Sequence, residues 1–257
     1  MFNLSLYGTG LAAALGLALI AWLVSIPLKK ASIADSVWPV FFILLALVYG
    51  LGASASSARA YLVLLLVVVW GARLGLYITR RNWGEPEDRR YRAMRSANDP
   101  GFWWKSGYIV FGLQGALAWL ISLPLLAAIL GTAPLNWLDA TALLLWLCGL
   151  LFEAVGDQQL SAFKARPENA GRVMDRGLWR YTRHPNYFGE ACVWWGFYLF
   201  ALAAGGWWAI GSPILITWLL LRVSGVTLLE QDIGERRPGY REYIERTSAF
   251  IPRPPRA

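Results

Sequence analysis

The stretch RYTRHPNYFGE, residues 180–190, concentrates side chains able to hold or move charge, and it carries His184, the only histidine of the chain. Arg183 can fork a phosphate or carboxylate, and His184, beside a proline where a span begins, can hydrogen-bond at the interface. Asn186 and Tyr187 offer neutral hydrogen bonds, and Glu190 adds a carboxylate. A Trp-rich apolar run, ACVWWGFYLFALAAGGWWAI, follows at once, so this chemistry sits where an apolar helix begins. No metal is expected there, because there is neither a second histidine nor a thiolate cluster. The GxSxG nucleophile turn, the GxGxxG fingerprint and the P-loop are absent as well. A nucleotide bound by this chain would be held by loops and helix ends, with Arg and Lys on its phosphates and Trp or Tyr faces on its rings.

Other polar residues interrupt apolar segments: Arg73 in WGARLGLY, Gln114 in FGLQGALAW, and Glu153 and Asp157 in LFEAVGDQQL. Asp35 stands at the mouth of another, in IADSVWPV. Ionisable groups in a membrane cost a few kcal/mol each, so each needs a partner or a purpose. Singly, they read as ion pairs or helix caps. As a set expected at one depth, with Glu190, they fit a water-filled pocket opening to the cytoplasm.

The elements that position these residues follow from composition. Of the 257 residues 57% are hydrophobic and 16% charged, and the mean hydropathy is +0.43. Soluble domains have about 45–50% apolar and about 25% charged residues, so the balance is that of a membrane protein. Apolar runs at about 5–27, 36–53, 60–79, 107–130, 136–156, 188–204 and 207–226 are each about long enough to cross a hydrocarbon core. PLKKAS, GLGASASSAR, GTAPLN and AAGG break them with turn residues. The expected fold is all-α, a polytopic bundle of about seven transmembrane helices forming a single domain over residues 1–257. Cys148 and Cys192 lie inside apolar segments, which argues against a disulfide or zinc framework.

The net charge of +8 is strongly one-sided. All but two of the 24 Lys and Arg residues, Arg59 and Arg73 excepted, fall on alternate connections or on the C-terminal segment. Basic connections resist translocation, so that face is cytoplasmic, the N-terminus lies outside and the C-terminus inside. The first apolar run follows no basic n-region and shows no cleavage site, so it reads as a retained helix. The charge excess is thus mainly a topology signal. Nucleic acid is not an expected partner, whereas membrane lipid and a phosphorylated ligand are.

Taken together, GLWRYTRHPNYFGE with its Trp-rich span and the tail LLEQDIGERRPGYREYIERTSAFIPRPP resemble the steroid 5α-reductase-like integral membrane proteins. The blocks LVVVWGARLGLYITRRN, EDRRYRAMR and FGLQGAL look like an uncharacterised bacterial branch of that group. The resemblance runs from about Ile33 onward and extends in looser form to sterol reductases. It implies a bacterial inner-membrane bundle with NADPH in its cytoplasmic half and a lipophilic substrate entering from the bilayer. It also implies that Asn186, Tyr187 and Glu190 contact the cofactor, with Asp157, Lys164, Arg183, His184, Arg222 and Glu230 as further cofactor-side positions.

The implied reaction is reduction of a C=C bond conjugated to a carbonyl, like that of 3-oxo-5α-steroid 4-dehydrogenases. Such chemistry needs an acid that polarises the carbonyl while enolate charge develops. The resemblance makes Asp35 that acid and puts Trp70 where the steroid enzymes have a tyrosine. Tyr77 and Gln114 then complete the candidate catalytic set. Two other classes stay open. Isoprenylcysteine and phospholipid methyltransferases have a similar R-H-P-x-Y and a similar Glu-containing tail, with S-adenosylmethionine as the ligand. A non-enzymatic lipid-binding protein would use the same polar residues as helix-packing contacts.

Overall fold

The computed structural model describes residues 2–53, 57–223, 225–226, 230 and 239–256. Every element among them is helical. Arg236 and Arg237 of the charge map, Ser224 of the seventh expected span and residues 54–56 of the GLGASASSAR break lie outside them. In chain order the helices are α1 (Leu4–Leu28), α2 (Ile33–Leu51), α3 (Ala58–Asn82), α4 (Arg89–Asn98), α5 (Phe102–Ile121) and α6 (Leu123–Leu130). There follow α7 (Trp137–Lys164), α8 (Pro185–Ala203), α9 (Trp207–Val223) and α10 (Tyr240–Arg246).

Helices α1, α2, α3 and α7 are long and apolar enough to cross a membrane, and the bent pair α5–α6 makes up to five such segments. That fits an integral membrane protein. The expected span at 107–130 is one helix with a π segment at Gly107–Gly112 and a 40° bend at Ser122. Pro124 explains the bend, since its ring has no N–H and crowds the preceding turn. The sixth and seventh expected spans differ more. Helix α8 has 19 residues, but its first two turns carry Asn186, Tyr187 and Glu190. Helix α9 is short, and its ends wind as 3-10 and π turns.

The chain packs as two compact units, Met1–Asn136 with Phe200–Ala209, and Trp137–Leu199 with Ile210–Ala257. In the first, α1 buries a stripe of small residues, Gly10, Ala14, Ala18, Ala21 and Ser25, spaced three or four apart. Lipid gives helices little hydrophobic reason to associate, so close backbone approach through small residues does that work. A methyl group on Gly115 of α5 would sit 3.2 Å from the Ala14 carbonyl oxygen and 3.3 Å from Ala18 Cβ. Phe42 of α2 meets Trp70 of α3 edge-on, with ring centroids 5.7 Å apart. The Tyr49 hydroxyl hydrogen-bonds Ser122 Oγ at 2.8 Å. Arg59, fully buried, donates to the carbonyls of Ala133 at 2.9 Å and Pro134 at 3.0 Å.

In the second unit, α7 turns one face inward: Asp139, Ala142, Trp146, Gly149, Glu153, Gly156 and Asp157. Glycines bring α8 against that face. A Cβ on Gly189 would lie 2.5 Å from the Gly149 oxygen, and one on Gly149 would lie 2.6 Å from the Gly189 oxygen. Only hydrogen fits at either position. This approach carries Glu153 and Asp157 to the beginning of α8.

Candidate functional site

The second unit assembles most of the residues singled out around His184. Two short helical turns and the tail shape the loop before α8. The Arg183 N–H donates to the Ser248 carbonyl at 2.9 Å, and the Arg253 N–H to the Tyr181 carbonyl at 3.0 Å. Thr182 Oγ1 donates to the Phe250 carbonyl at 2.8 Å, and the Tyr243 hydroxyl donates to the Trp179 carbonyl. Residues 179–184 are thereby bound to the segment that begins with α10.

Arg183 is the centre of this arrangement. Its Nε and Nη2 fork onto the two oxygens of Glu230 at 2.7 and 2.9 Å. Its Nη1 donates to the carbonyls of Thr247 at 2.5 Å and Ile244 at 3.2 Å. His184 Nε2 lies 3.0 Å from Glu230 Oε1, and the Tyr240 hydroxyl donates to the same oxygen at 3.3 Å. Burial opposes charge on Glu230, but hydrogen bonds from His184 and Arg183 and the guanidinium charge outweigh it, holding the carboxyl at about 2. Burial, followed by the Glu230 charge, pushes the Tyr240 phenol above its ordinary range. Arg183, His184 and Glu230 therefore bind one another, and their donors are turned inward.

Asn186 opens α8 on the other side of Pro185. Its Nδ2 donates to Asp157 Oδ1 at 3.4 Å, while its buried Oδ1 has no hydrogen-bond partner among the described residues. The Tyr187 ring stacks on that of His184, with 4° between the ring planes and centroids 5.4 Å apart. Glu190 follows half-buried, one turn further on. Lys164 closes α7, and Arg222 is exposed near the end of α9.

The first unit holds Asp35, Tyr77 and Gln114. Asp35 accepts from Arg90 Nη2 at 2.6 Å and from the Tyr91 hydroxyl at 2.7 Å, so both carboxylate oxygens are used. Gln114 Nε2 reaches Tyr91 Oη at 3.5 Å. Tyr77 lies beneath the Arg81 guanidinium, 5.7 Å from the ring centroid. Burial opposes charge on Arg90, yet Asp35 and Asp88 hold it firmly charged. Burial and then the Asp35 charge push the Tyr91 phenol far above its ordinary range.

Sequence reasoning missed Arg90 and Tyr91. Their signal was present in EDRRYRAMR, where Asp88 caps α4 by accepting from the Arg90 N–H at 2.9 Å. Nearby, Glu87 accepts from the Ala31 N–H at 2.5 Å and from Arg95 Nη2 at 2.8 Å. That pins α4 to the turn before α2. Trp70, at the tyrosine position of the resemblance, is wholly buried. Among the described residues no group of three or more His, Cys, Asp or Glu could hold a metal ion.

An uncharacterised protein of the fission yeast Schizosaccharomyces pombe, C594.04c, is 28% identical over 288 residues, covering 98% of this chain and 81% of that protein. No solved structure matches. A family model described as "Protein of unknown function (DUF1295)" matches residues 21–247, nearly the whole chain. The protein with the Asn186–Asp157 and Asp35–Tyr91 pairs thus belongs to the DUF1295 family, which is related to the steroid 5α-reductases.

Proposed function

We propose that the protein is an NADPH-dependent membrane reductase. It acts on a C=C bond conjugated to a carbonyl in a lipophilic substrate, steroid-like or isoprenoid, that enters from the bilayer. The observation that carries this reading is the start of α8, where Asn186 leans on Asp157 and leaves its buried Oδ1 without a hydrogen-bond partner among the described residues. A buried acceptor of this kind calls for a donor. A dinucleotide brings such donors in its carboxamide and ribose hydroxyls, so the residues present fit it. Kinship with the steroid 5α-reductases supports the same reading.

Asn186 and Tyr187 would hold the cofactor by hydrogen bonding and ring contact, with Asp157, Lys164, Glu190 and Arg222 as further polar positions. Arg183, His184 and Glu230 serve it by fixing the loop that presents Asn186. When bound, NADPH supplies a hydride for the electron-poor carbon of the enone. Asp35, in its protonated form, serves the carbonyl as enolate charge develops, with Tyr77 as a further candidate; Gln114, whose Nε2 is committed to Tyr91, offers a carbonyl no donor. In this reading the chain has about seven spans in a bacterial inner membrane. Its N-terminus is outside and its cofactor residues and C-terminus are on the cytoplasmic side, as the basic connections support.

The test is ligand-dependent unfolding of the full chain in detergent, with NADPH, NADH and S-adenosylmethionine compared. A ligand at 100 times its Kd adds about 2.7 kcal/mol. NADPH should stabilise more than NADH, because exposed arginines can fork its additional phosphate. Asn186→Ala and Tyr187→Phe should shrink that shift and leave the ligand-free midpoint in place. Stabilisation by S-adenosylmethionine, with NADPH inert, would replace the reading by a methyltransferase of the isoprenylcysteine or phospholipid type.

A further inference from the structure

Gln114, on an apolar stretch of α5, presents a buried amide whose Oε1 has no hydrogen-bond partner among the described residues. The other end of the amide is committed. Its Nε2 donates to Tyr91 Oη in a long contact of 3.5 Å, and Tyr91 donates to Asp35 Oδ1 at 2.7 Å. The donors therefore run one way, from Gln114 through Tyr91 to a carboxylate that Arg90 also holds at 2.6 Å. Turning the amide over would face its oxygen to a phenol oxygen whose proton already points at Asp35, setting acceptor against acceptor.

What remains is a neutral, buried acceptor on an apolar helix whose preceding residue, Leu113, is 52% exposed. A group that serves this acceptor must bring an O–H or N–H donor. It gains nothing from charge, since Arg90 already balances Asp35. Its body must be apolar to reach α5 from lipid. A ketone or aldehyde offers acceptors only and cannot serve the atom. We propose that Gln114 Oε1 binds the hydroxyl group of an uncharged lipid alcohol, with Tyr91 and Asp35 fixing the amide in the accepting orientation. The inference goes beyond the reductase reading and does not depend on it.

Three isoprenoid probes of matched chain separate the possibilities: farnesol with a hydroxyl, farnesal with a carbonyl, and the hydrocarbon farnesene. Their affinities are read from the shift in unfolding midpoint of the full chain in detergent micelles, at equal mole fraction. One net hydrogen bond corresponds to a preference of roughly tenfold for farnesol over farnesene. Farnesal should bind no better than farnesene. Gln114→Met, which keeps the volume and removes the acceptor, should abolish the farnesol preference while farnesene affinity holds. Tyr91→Phe should reduce the preference severalfold, because the amide loses the oxygen that orients it, and this variant decides the matter where Gln114→Met fails to fold. Equal affinity for all three probes, a preference for farnesal, or a full farnesol preference in either variant would overturn the proposal. Failure of all three to bind would assign the acceptor to water and overturn it equally. NADPH shifts measured on the same preparations keep the fate of the reductase reading separate.

Discussion

Replacing Glu230 by Gln removes one charge from the best-connected group in the second unit, and the consequence can be worked out. Arg183 and Glu230 are only 8% and 16% exposed at their side chains. The carboxyl is held at about 2 against an ordinary 4.5. At about 1.4 kcal/mol per pKa unit, that difference amounts to roughly 3 kcal/mol, or roughly 2–3 kcal/mol once residual solvent contact is allowed for. A carboxyl whose folded-state value is depressed contributes its stability above the unfolded value and loses it as pH falls through the folded one. The penalty of Glu230→Gln should therefore be complete from pH 5 to 7. About 40% of it should remain at pH 3, and it should fade below about pH 2. Denaturant unfolding of wild type and variant in the same detergent, at pH 7 and pH 3, measures this directly. Equal penalties at the two values would show that the side chain matters by its shape alone, and no penalty at pH 7 would remove Arg183 as the anchor of the tail.

Gly189→Ala should destabilise the second unit by about 3 kcal/mol or more, because the new Cβ meets backbone at 2.5 Å and neither helix can yield cheaply; a thermal midpoint unchanged within error would contradict the packing described. Asp35→Asn breaks the 2.6 Å pair with Arg90, and should cost about 1 kcal/mol in stability and about 10²–10³ in kcat on any enone turned over, with NADPH affinity kept; a variant that merely melts earlier makes Asp35 a structural residue. Cysteines introduced within residues 84–99 should react with an impermeant reagent only from the cytoplasm, and one at Thr132 only from outside. Labelling of both from one side would refute the topology.

How much of this could be read beforehand depended on how local each signal was. Helices α1, α2, α3 and α7 announce themselves, because an unbroken apolar run has one stable backbone solution in lipid. The small residues Gly10, Ala14, Ala18 and Ala21 even show which face of α1 is inward. The bend at Ser122 was legible too, in Pro124, though the run reads as one span when scanned for apolarity alone. Helices α8 and α9 were harder, since tryptophans, glycines and the polar residues of RHPNY blur where each begins and how far it extends.

The sites divide along the same line. Both the RHPNY stretch and the Glu-containing tail stand out in the sequence, but nothing local says that Arg183 forks onto Glu230, 47 residues away along the chain. That pairing exists only once α10 and the tail fold back on the loop. Tyr91 was hidden for another reason. It lies among arginines whose charge reads as a topology signal, and that signal masks the buried edge of α4. The resemblance to the steroid enzymes places a tyrosine on α3, where Trp70 instead packs in the core against Phe42. A hydroxyl does reach Asp35, but from α4, a short polar helix that Glu87 ties to the turn before α2. A residue's chemistry was readable from its type, and its partner only from the element that carried it there.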